Sequence, residues 1–262
     1  MYNFDFDKPT SVADAVAALG AEDAQALGGG QTLIPTLKQR LASPSTLVSL
    51  KGIAEIQGVC TGEDGALCIG GATNHATVAA EAGAYPALAA TASHIGDPAV
   101  RNRGTIGGSL ANNDPSACYP AAALGSGATI VTNTREIAAD DYFQGMFTTA
   151  LEEGEIITEV RFPVPEKANY QKFVQPASRF ALVGVFVAKY ADGVRVAITG
   201  ASNDGVFRWA EAEAALSADF SAGALDGLSL SGDDMISDLH GSGAYRAHLC
   251  AVMTKRAVDA AA

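Results

Sequence analysis

The stretch that decides the fold reads RNRGTIGGSLANNDPSACY and covers residues 101–119. A second glycine-rich turn, GGGQT, covers residues 28–32 upstream of it. Both turns carry hydroxyl and amide side chains, and neither carries a lysine. Glycine lacks a Cβ and lets main-chain N–H groups approach a ligand, and successive N–H groups form an anion site without a basic side chain. The two turns therefore predict a chain that wraps a diphosphate with its main chain, and a dinucleotide cofactor is the first hypothesis.

The bulk composition excludes several classes of partner. The chain has 262 residues, of which 48% are hydrophobic, enough for one large domain or two smaller ones. Its net charge of −12 has the wrong sign for binding phosphate backbones or anionic membrane surfaces, so nucleic acid is not expected as a partner. We find no secretory signal and no apolar run of about 18 residues, so no membrane span is expected and a cytoplasmic protein is predicted.

The four cysteines do not have the spacing of a metal centre. They stand at positions 60, 68, 118 and 250, and no two of them form a CxxC pair. Neither a zinc ribbon nor an iron–sulfur cluster is therefore predicted, and no metal ligand is assigned. Any redox chemistry of this chain would need a bound organic cofactor.

The pattern along the chain predicts an α+β protein in three parts. Residues 1–55 alternate strands with helices, which indicates a small parallel sheet. Residues 56–165 contain a hairpin signal at Glu63-Asp64-Gly65, several helices and further strands, which indicates an antiparallel sheet with helices. Residues 166–262 begin after two prolines and contain a second hairpin signal, Asp192-Gly193.

Neither glycine turn matches a standard nucleotide-binding template. The dinucleotide fingerprint GxGxxG needs a glycine where Leu33 stands, and the P-loop needs a GK[ST] ending that is absent. For residues 28–32 alone, a plain strand-to-helix turn remains an equal alternative. Residues 105–109 are more specific, because a hydroxyl flanks the glycine pair on each side, although a β-bulge or buried loop also fits them.

The sequence favours a structural role for two histidines and leaves the role of two arginines undecided. His75 and His94 have no nucleophile or metal partner at a useful spacing, so we interpret both as structural. Arg101 and Arg103 would either pair with the diphosphate or fix their loop by binding carboxylates across a subunit face. The sequence does not decide between these two roles.

Six stretches of the chain resemble one known family. The stretch DPAVRNRGTIGGSLANNDPSACYPAAAL resembles the FAD-binding medium subunits of the molybdenum hydroxylases, which include aerobic carbon monoxide dehydrogenase and bacterial relatives of xanthine dehydrogenase. GGGQTLIPTLKQRL resembles the first flavin motif of that family. The other stretches follow in family order: IGGATNHATVA, REIAADDYFQGMFTTALEEGEIITEVRFP, FVQPASRFALVGV and SGAYRAHLCAVMTKRAV.

The resemblance implies a fold and a set of cofactor contacts. The implied fold is like that of vanillyl-alcohol oxidase, with two FAD-binding subdomains and a C-terminal domain that has a three-stranded antiparallel sheet and helices. Asn112 and Asp114 are implied to contact the sugar or ribityl region, and Ile157 to pack near the isoalloxazine. The residues implied to hold the FAD diphosphate are Gly28, Gly29, Gly30, Gln31, Thr32, Leu33, Thr105, Ile106, Gly107, Gly108 and Ser109.

Two positions depart from the family pattern. Cys118 stands where the family usually has Asp, which removes a ribityl hydrogen bond, and Asn74 replaces the second threonine of a family pair. Gly107→Val is expected to abolish FAD retention, because a Cβ would intrude on the diphosphate.

The implied function is electron transfer within a complex. Iron–sulfur clusters of a small [2Fe–2S] subunit would relay electrons from a large molybdenum-cofactor subunit onto FAD here, and an external quinone or NAD would accept them; no catalytic residue is assigned. Two alternatives remain. One is a self-sufficient flavin oxidoreductase of the same fold, and the other is a non-catalytic nucleotide-binding assembly module.

Overall fold

The computed structural model describes residues 1–261. Its N-terminal part is a three-stranded parallel sheet with strand order β1-β3-β2. Ala15, Val48 and Ile53 form the centre of a small core beneath it. This confirms the parallel sheet predicted for the start of the chain. The elements are β1 (Asp5–Asp7), α1 (Val12–Leu19), β2 (Ala24–Leu27), α2 (Leu33–Lys38) and β3 (Thr46–Ser49), followed by 3-10 turns at Leu50–Gly52 and Ala54–Ile56.

The second part is a five-stranded antiparallel sheet covered by helices. Its strand order is β4-β5-β10-β6-β7, and its core is the largest in the molecule. The elements are β4 (Val59–Thr61), β5 (Leu67–Gly70), α3 (His75–Glu81), α4 (Pro86–Ser93), α5 (Pro98–Arg101), α6 (Ile106–Asn112), α7 (Cys118–Ser126), β6 (Thr129–Thr132), β7 (Glu136–Ala138), α8 (Ala139–Tyr142), a small hairpin of β8 (Phe143–Gly145) and β9 (Thr148–Thr149), and β10 (Ile157–Phe162).

Much of the glycine-rich stretch 101–119 is helical rather than an open turn. Asp97 and Thr105 cap helices α5 and α6, and their side-chain oxygens accept N–H groups three residues further along the chain, a standard N-cap arrangement. Gly107 and Gly108 lie in the first turn of α6, where glycine costs about 0.5–1 kcal/mol relative to alanine. For Gly107 the close contact with the Gly71 main chain accounts for the glycine.

The third part is a four-stranded antiparallel sheet against the C-terminal helix. The three strands that the resemblance implies are β11 (Lys167–Val174), β12 (Ala181–Tyr190) and β13 (Gly193–Ser202); a fourth, short edge strand, β14 (Gly205–Arg208), extends them. Tyr190 pairs with Gly193, so the predicted hairpin is present with Ala191 and Asp192 as its loop. The remaining elements are α9 (Ala210–Ala218), a 3-10 turn at Ala222–Leu225 and α10 (Gly243–Asp259).

The third sheet holds the segment that follows α6. The hydroxyl of Thr199 donates to the carbonyl oxygens of Pro115 and Ala117, each at 2.9 Å, and the N–H of Gly200 donates to Pro115 at 2.7 Å. Helix α7 then packs on β12 and β13. The main core therefore continues across residue 165, and the domain division at that residue remains a prediction.

Candidate functional site

A cleft of about 990 Å³ runs between the three parts of the molecule. Apart from Ile106, every site residue predicted from the sequence lines it. Ile106 is fully buried and belongs to the main core. The predicted residues along the cleft are Gly28, Gly29, Gly30, Gln31, Thr32, Leu33, Thr105, Gly107, Gly108, Ser109, Asn112, Asp114 and Ile157.

The two glycine-rich turns touch each other. A Cβ on Gly29 would overlap the carbonyl oxygen of Arg103 and the Cα of Gly104. A Cβ on Gly28 would lie 2.8 Å from the hydroxyl of Thr105. Residues 75 positions apart in the chain thus meet main chain to main chain, and glycine is required there because any side chain would separate the turns.

The first turn presents a row of free N–H groups. Within residues 1–261, the N–H groups of positions 29–33 have no hydrogen-bond acceptor. Gly30 has φ of +70°, a conformation that favours glycine. Thr32 is the residue before α2, and its side chain forms no capping hydrogen bond. Five consecutive free N–H groups beside a cleft form the kind of concave main-chain site that binds anions.

The second turn uses its N–H groups internally. Ile106 donates to the carbonyl of Thr73 at 3.1 Å and Gly107 to that of Gly71 at 2.9 Å. Gly108 donates to the Thr105 hydroxyl and Ser109 to the Thr105 carbonyl. These four groups are therefore not free for a diphosphate, so the second turn faces the cleft with side chains and with the surface of its glycines.

Gly107 is required by a contact inside the protein. A Cβ on Gly107 would lie 2.6 Å from the carbonyl oxygen of Gly71. The glycine therefore permits α6 to pack on the residue after β5, and the protein main chain is one obstacle to Gly107→Val. The clash with the diphosphate that the sequence predicts for this variant stays a prediction.

Polar side chains follow the second turn along the cleft. The hydroxyl of Ser109 and the amide of Asn112 have no partner within the part of the chain that the structure describes. Asp114 accepts the N–H of Ser116 at 2.8 Å, which leaves its other oxygen without a bonded donor. Asn113, with φ of +41°, turns away and donates to two carbonyls of the β8–β9 hairpin. Residues 109–114 thus offer one hydroxyl, one amide and one carboxylate to a polar ligand in the cleft.

An apolar wall lies across the cleft from these groups. Ile156 and Ile157 are both buried and line it, as does Ala72. A Cβ on Gly71 would overlap the carbonyl of Ile157, so the main chains of β10 and the residue after β5 are in contact there. Cys118, at the start of α7, lines the same cleft and is buried.

The two sequence departures occupy different positions. Asn74 lies at the N-cap of α3, where its side-chain oxygen accepts the N–H of Thr77 at 2.8 Å. Cys118 offers a thiol at the cleft, where the resemblance implies a carboxylate. The replacement at position 74 is explained by a local cap, whereas the one at position 118 changes the chemistry of the cleft wall.

The surroundings of His75 and His94 lower the pKa of each ring, and Arg101 is hydrogen-bonded to main-chain oxygens. Burial, with a contribution from Arg101, lowers the pKa of His75 to about 4, so its ring is neutral at pH 7. Burial, then the charges of Lys172 and Arg101, lowers the pKa of His94. Arg101 donates to the carbonyls of residues 95 and 96, so it fixes its loop through main-chain oxygens. Arg103 has an exposed side chain, and its carbonyl faces Gly29.

Two carboxylates that line the cleft, Glu155 and Asp238, are held as anions by hydrogen-bond donors that include arginines. Hydrogen bonding from Arg135, against a smaller effect of burial, lowers the pKa of Glu155 to about 2. The pKa of Asp238 is lowered as well: burial acts to raise it, but hydrogen bonds from the His240 N–H and from Arg246 outweigh that effect. Both residues line the cleft. Neither carboxyl group, nor neutral His75, is matched to proton transfer near pH 7.

Sequence reasoning missed the contribution of the third part. Arg246 is 2% exposed and donates to the carbonyls of Leu182 and Gly200 and to Asp238. The family-like stretch SGAYRAHLCAVMTKRAV contains Arg246, but the sequence assigns it no cofactor contact, because it reaches the cleft only through the tertiary fold. Gly71, which follows the glycine of β5, had a usable signal in the Gly70-Gly71 pair. The missed lining residues of the third part are Lys172, Ser178, Arg179, Phe180, Ile236, Asp238 and Arg246.

The residues present fit a dinucleotide with a diphosphate. Free N–H groups suit the diphosphate, the side chains of Ser109, Asn112 and Asp114 suit hydroxyls, and the isoleucine wall suits a flat apolar ring. The volume is at the upper end of the range for small-molecule and cofactor pockets. Among residues 1–261, no His, Cys, Asp or Glu cluster is arranged to hold a metal, and no helix is long and apolar enough to cross a membrane.

Fold and site together define a flavoprotein of the FAD-binding type, and comparison with known proteins gives its family. Residues 2–165 match the family model described as the FAD binding domain in molybdopterin dehydrogenase. The chain belongs to this family, as an FAD-binding medium subunit of the molybdenum hydroxylases, and its cofactor is FAD. It is accordingly a flavoprotein subunit of an oxidoreductase.

Relatives and solved structures match over almost the whole chain. The carbon monoxide dehydrogenase medium chain of Afipia carboxidovorans is 34% identical, covering 99% of this chain and 96% of the relative. The nicotine 6-hydroxylase medium subunit of Paenarthrobacter nicotinovorans is 33% identical, covering 97% and 95%. The solved structure of reconstituted CO dehydrogenase from Oligotropha carboxidovorans has a TM-score of 0.89 at 33% identity, covering 98% of this chain and 97% of that one.

Proposed function

We propose that this chain is the electron-transfer subunit of a molybdenum-containing hydroxylase or dehydrogenase. In this proposal a large molybdenum-cofactor subunit oxidises the substrate, and the clusters of a small [2Fe–2S] subunit carry the electrons to this chain. Bound FAD supplies the chemistry, since a flavin takes up and releases electrons singly or in pairs. The electrons leave to an external acceptor, a quinone or NAD.

The observation that carries the proposal is the row of free N–H groups at positions 29–33 beside the cleft. These groups would hold the diphosphate of FAD, and the side chains of Ser109, Asn112 and Asp114 would hold the sugar or ribityl hydroxyls. Ile157 would pack near the isoalloxazine. A chain that had lost its nucleotide would have no need of such a row, because free N–H groups along a cleft cost stability unless a ligand or water satisfies them.

The protonation states of the cleft favour relay over direct substrate oxidation. A self-sufficient oxidoreductase needs a positioned acid or base whose pKa lies near the working pH. Burial keeps His75 neutral, with a pKa of about 4, and Arg135 keeps Glu155 ionised, with a pKa of about 2. The chain's own task would then be to bind and orient the flavin and to exclude water from it.

Two measurements test the proposal and its rivals. The purified chain should be yellow or become so with one FAD per chain, and a chain that never takes up FAD contradicts the proposal. The FAD-loaded chain should show no turnover of small-molecule substrates alone. It should be reduced when the large and small subunits and their substrate are added, and reoxidised by a quinone or NAD. Substrate turnover by the isolated chain would instead support the self-sufficient enzyme.

A further inference from the structure

Two cysteines face each other on neighbouring strands, away from the flavin cleft. Cys60 in β4 is the direct register partner of Cys68 in β5. The flanking pairs are hydrogen-bonded, because Gly70 donates to the Gly58 carbonyl at 3.0 Å and Gly62 to the Ala66 carbonyl at 2.8 Å. Since bonded and non-bonded pairs alternate in an antiparallel ladder, the Cys60–Cys68 pair is also a bonded one.

This register puts the two cysteines at a Cα separation at which disulfides form. Cα atoms of a bonded antiparallel pair lie about 5.5 Å apart, which falls at the commonest Cα separation of disulfides. Cβ atoms of directly opposite residues lie roughly 4.5–5.5 Å apart, with bonded pairs at the longer end, whereas a disulfide needs about 3.5–4.5 Å. Closing the bond therefore needs an approach of about 1–2 Å, and the strain makes the disulfide readily reducible.

Of the two strands, β4 is the shorter and has one free edge, although the Thr73 hydroxyl bonds to the main chain of Gly58 at its start. β4 has three residues and lies at the edge of its sheet. Glycines stand on both sides of it, and Gly58 has φ of +104° with open space around the position of a Cβ. Short edge strands and their glycine ends open at low free-energy cost, so β4 can supply the approach.

The two thiols differ in solvent exposure, and this difference decides which of them reacts first. Cys60 is exposed and lines a separate pocket of about 410 Å³, together with Gln57, Glu159 and Arg161. Cys68 is 6% exposed, and burial, followed by Glu159 and Cys60, raises its pKa. An external reagent therefore meets Cys60 first, while Cys68 stays protected beneath it.

We propose that Cys60 and Cys68 form a dithiol–disulfide site that exchanges with small disulfides. Cys60, after losing its proton, attacks one sulfur of the small disulfide, forms a mixed disulfide and releases one small thiol. Cys68 then loses its proton and attacks the sulfur of Cys60, which closes the protein disulfide and releases the second small thiol. The protein loses two electrons and two protons, and the small disulfide takes up both.

Exchange with 2-hydroxyethyl disulfide tests the site on the purified full-length chain loaded with FAD. We expect two of the four thiols to disappear, a mass lower by two hydrogen atoms, a Cys60–Cys68 cross-linked peptide, and full recovery with a reductant. Cys68→Ser should instead keep one hydroxyethylthio group on Cys60. Cys60→Ser should form neither the protein disulfide nor an adduct at position 60. Cys250→Ser is the matched control, because Cys250 is fully buried with a pKa raised to about 12, and it should leave the exchange unaltered.

Three outcomes overturn the proposal. The first is that the wild-type chain keeps all four thiols under the same conditions in which Cys60 of the Cys68→Ser variant forms the hydroxyethylthio adduct. The second is a stable hydroxyethylthio adduct on Cys60 of the wild-type chain. The third is a cross-link to Cys118 or Cys250 in place of Cys68.

Discussion

The Cα of Gly29 lies so close to the carbonyl of Arg103 that a methyl group has no room between them. This contact joins the end of β2 in the parallel sheet to the loop before α6 in the antiparallel part. The two glycine-rich turns are therefore one structural unit. The first turn offers free N–H groups, and the second supports it and adds side chains.

Gly29→Ala should open this junction. The added methyl would overlap main-chain atoms that cannot rotate away, so we expect a loss of about 3 kcal/mol in the free energy of unfolding and weaker FAD binding. Gly83→Ala is the control, because Gly83 has open space at the Cβ position and no positive φ; it should change stability by less than about 0.5 kcal/mol. Chemical denaturation and FAD titration measure both effects. Equal behaviour of the two variants would contradict the contact.

Gly107→Val should destabilise the protein even without FAD. The Cβ would press on the Gly71 carbonyl, and the Gly107–Gly71 hydrogen bond would be lost, so we expect a loss of about 3 kcal/mol or more in the FAD-free chain. Thermal denaturation of the FAD-free wild type and variant checks this. A variant that melts like the wild type without FAD, yet binds no FAD, would leave the clash with the diphosphate as the explanation.

Glu155→Gln should weaken the wall beside Ile156 and Ile157. The carboxylate accepts charge-assisted hydrogen bonds from Arg135, Thr134 and the N–H of Glu152, so the substitution is expected to cost about 2 kcal/mol at pH 7.

The pKa of Glu155 is lowered to about 2, so its stabilising effect is complete above the unfolded-state pKa and is lost as the pH falls towards 2. The difference between variant and wild type should shrink over that range. Glu152→Gln is the control, because its side chain is 76% exposed and pairs with Arg135 only at 3.5 Å; it should change stability by less than about 0.5 kcal/mol. A constant difference for Glu155→Gln between pH 7 and pH 3 would refute the assignment.

His75 should make the stability fall with acid. In the folded chain its pKa is about 4, whereas the ordinary value is 6.5, so the unfolded chain alone binds the proton between these pH values. Stability is therefore full above pH 6.5 and falls by about 3 kcal/mol as the pH drops to 4.

Denaturation at several pH values should show a shallower dependence for His75→Gln than for the wild type. The exposed residue His248 supplies the control, and His248→Gln should follow the wild-type curve. Parallel curves for wild type and His75→Gln would contradict a buried neutral ring.

The sequence predicts the elements whose signals are local. The parallel sheet, the hairpin before Gly193 and the position of the first glycine turn follow from alternation and turn residues. Helices α6 and α7 were not expected, because Gly107, Gly108 and Asn113 are residues that favour turns. Tertiary partners decide their conformation, above all the Gly71 carbonyl, which lies 36 positions earlier in the chain.

The same holds for the cofactor site, where the sequence predicts the local motifs and does not predict the long-range contacts. The glycines and their hydroxyl neighbours predict a main-chain anion site, and the family resemblance implies that the cofactor is FAD. The sequence does not tell which turn has its N–H groups free, since that depends on long-range acceptors such as Thr73 and Gly71. Nor does it bring Arg246, from the C-terminal helix, to the cleft.

Amide hydrogen exchange with and without FAD tests the central claim most directly. The N–H groups at positions 29–33 have no acceptor within the described chain, so they should exchange fast in the FAD-free protein and become protected when FAD binds. The N–H groups at positions 106–109 already have acceptors and should be protected in both states. Fast exchange at positions 29–33 under saturating FAD, with new protection confined to the second turn, would contradict this account.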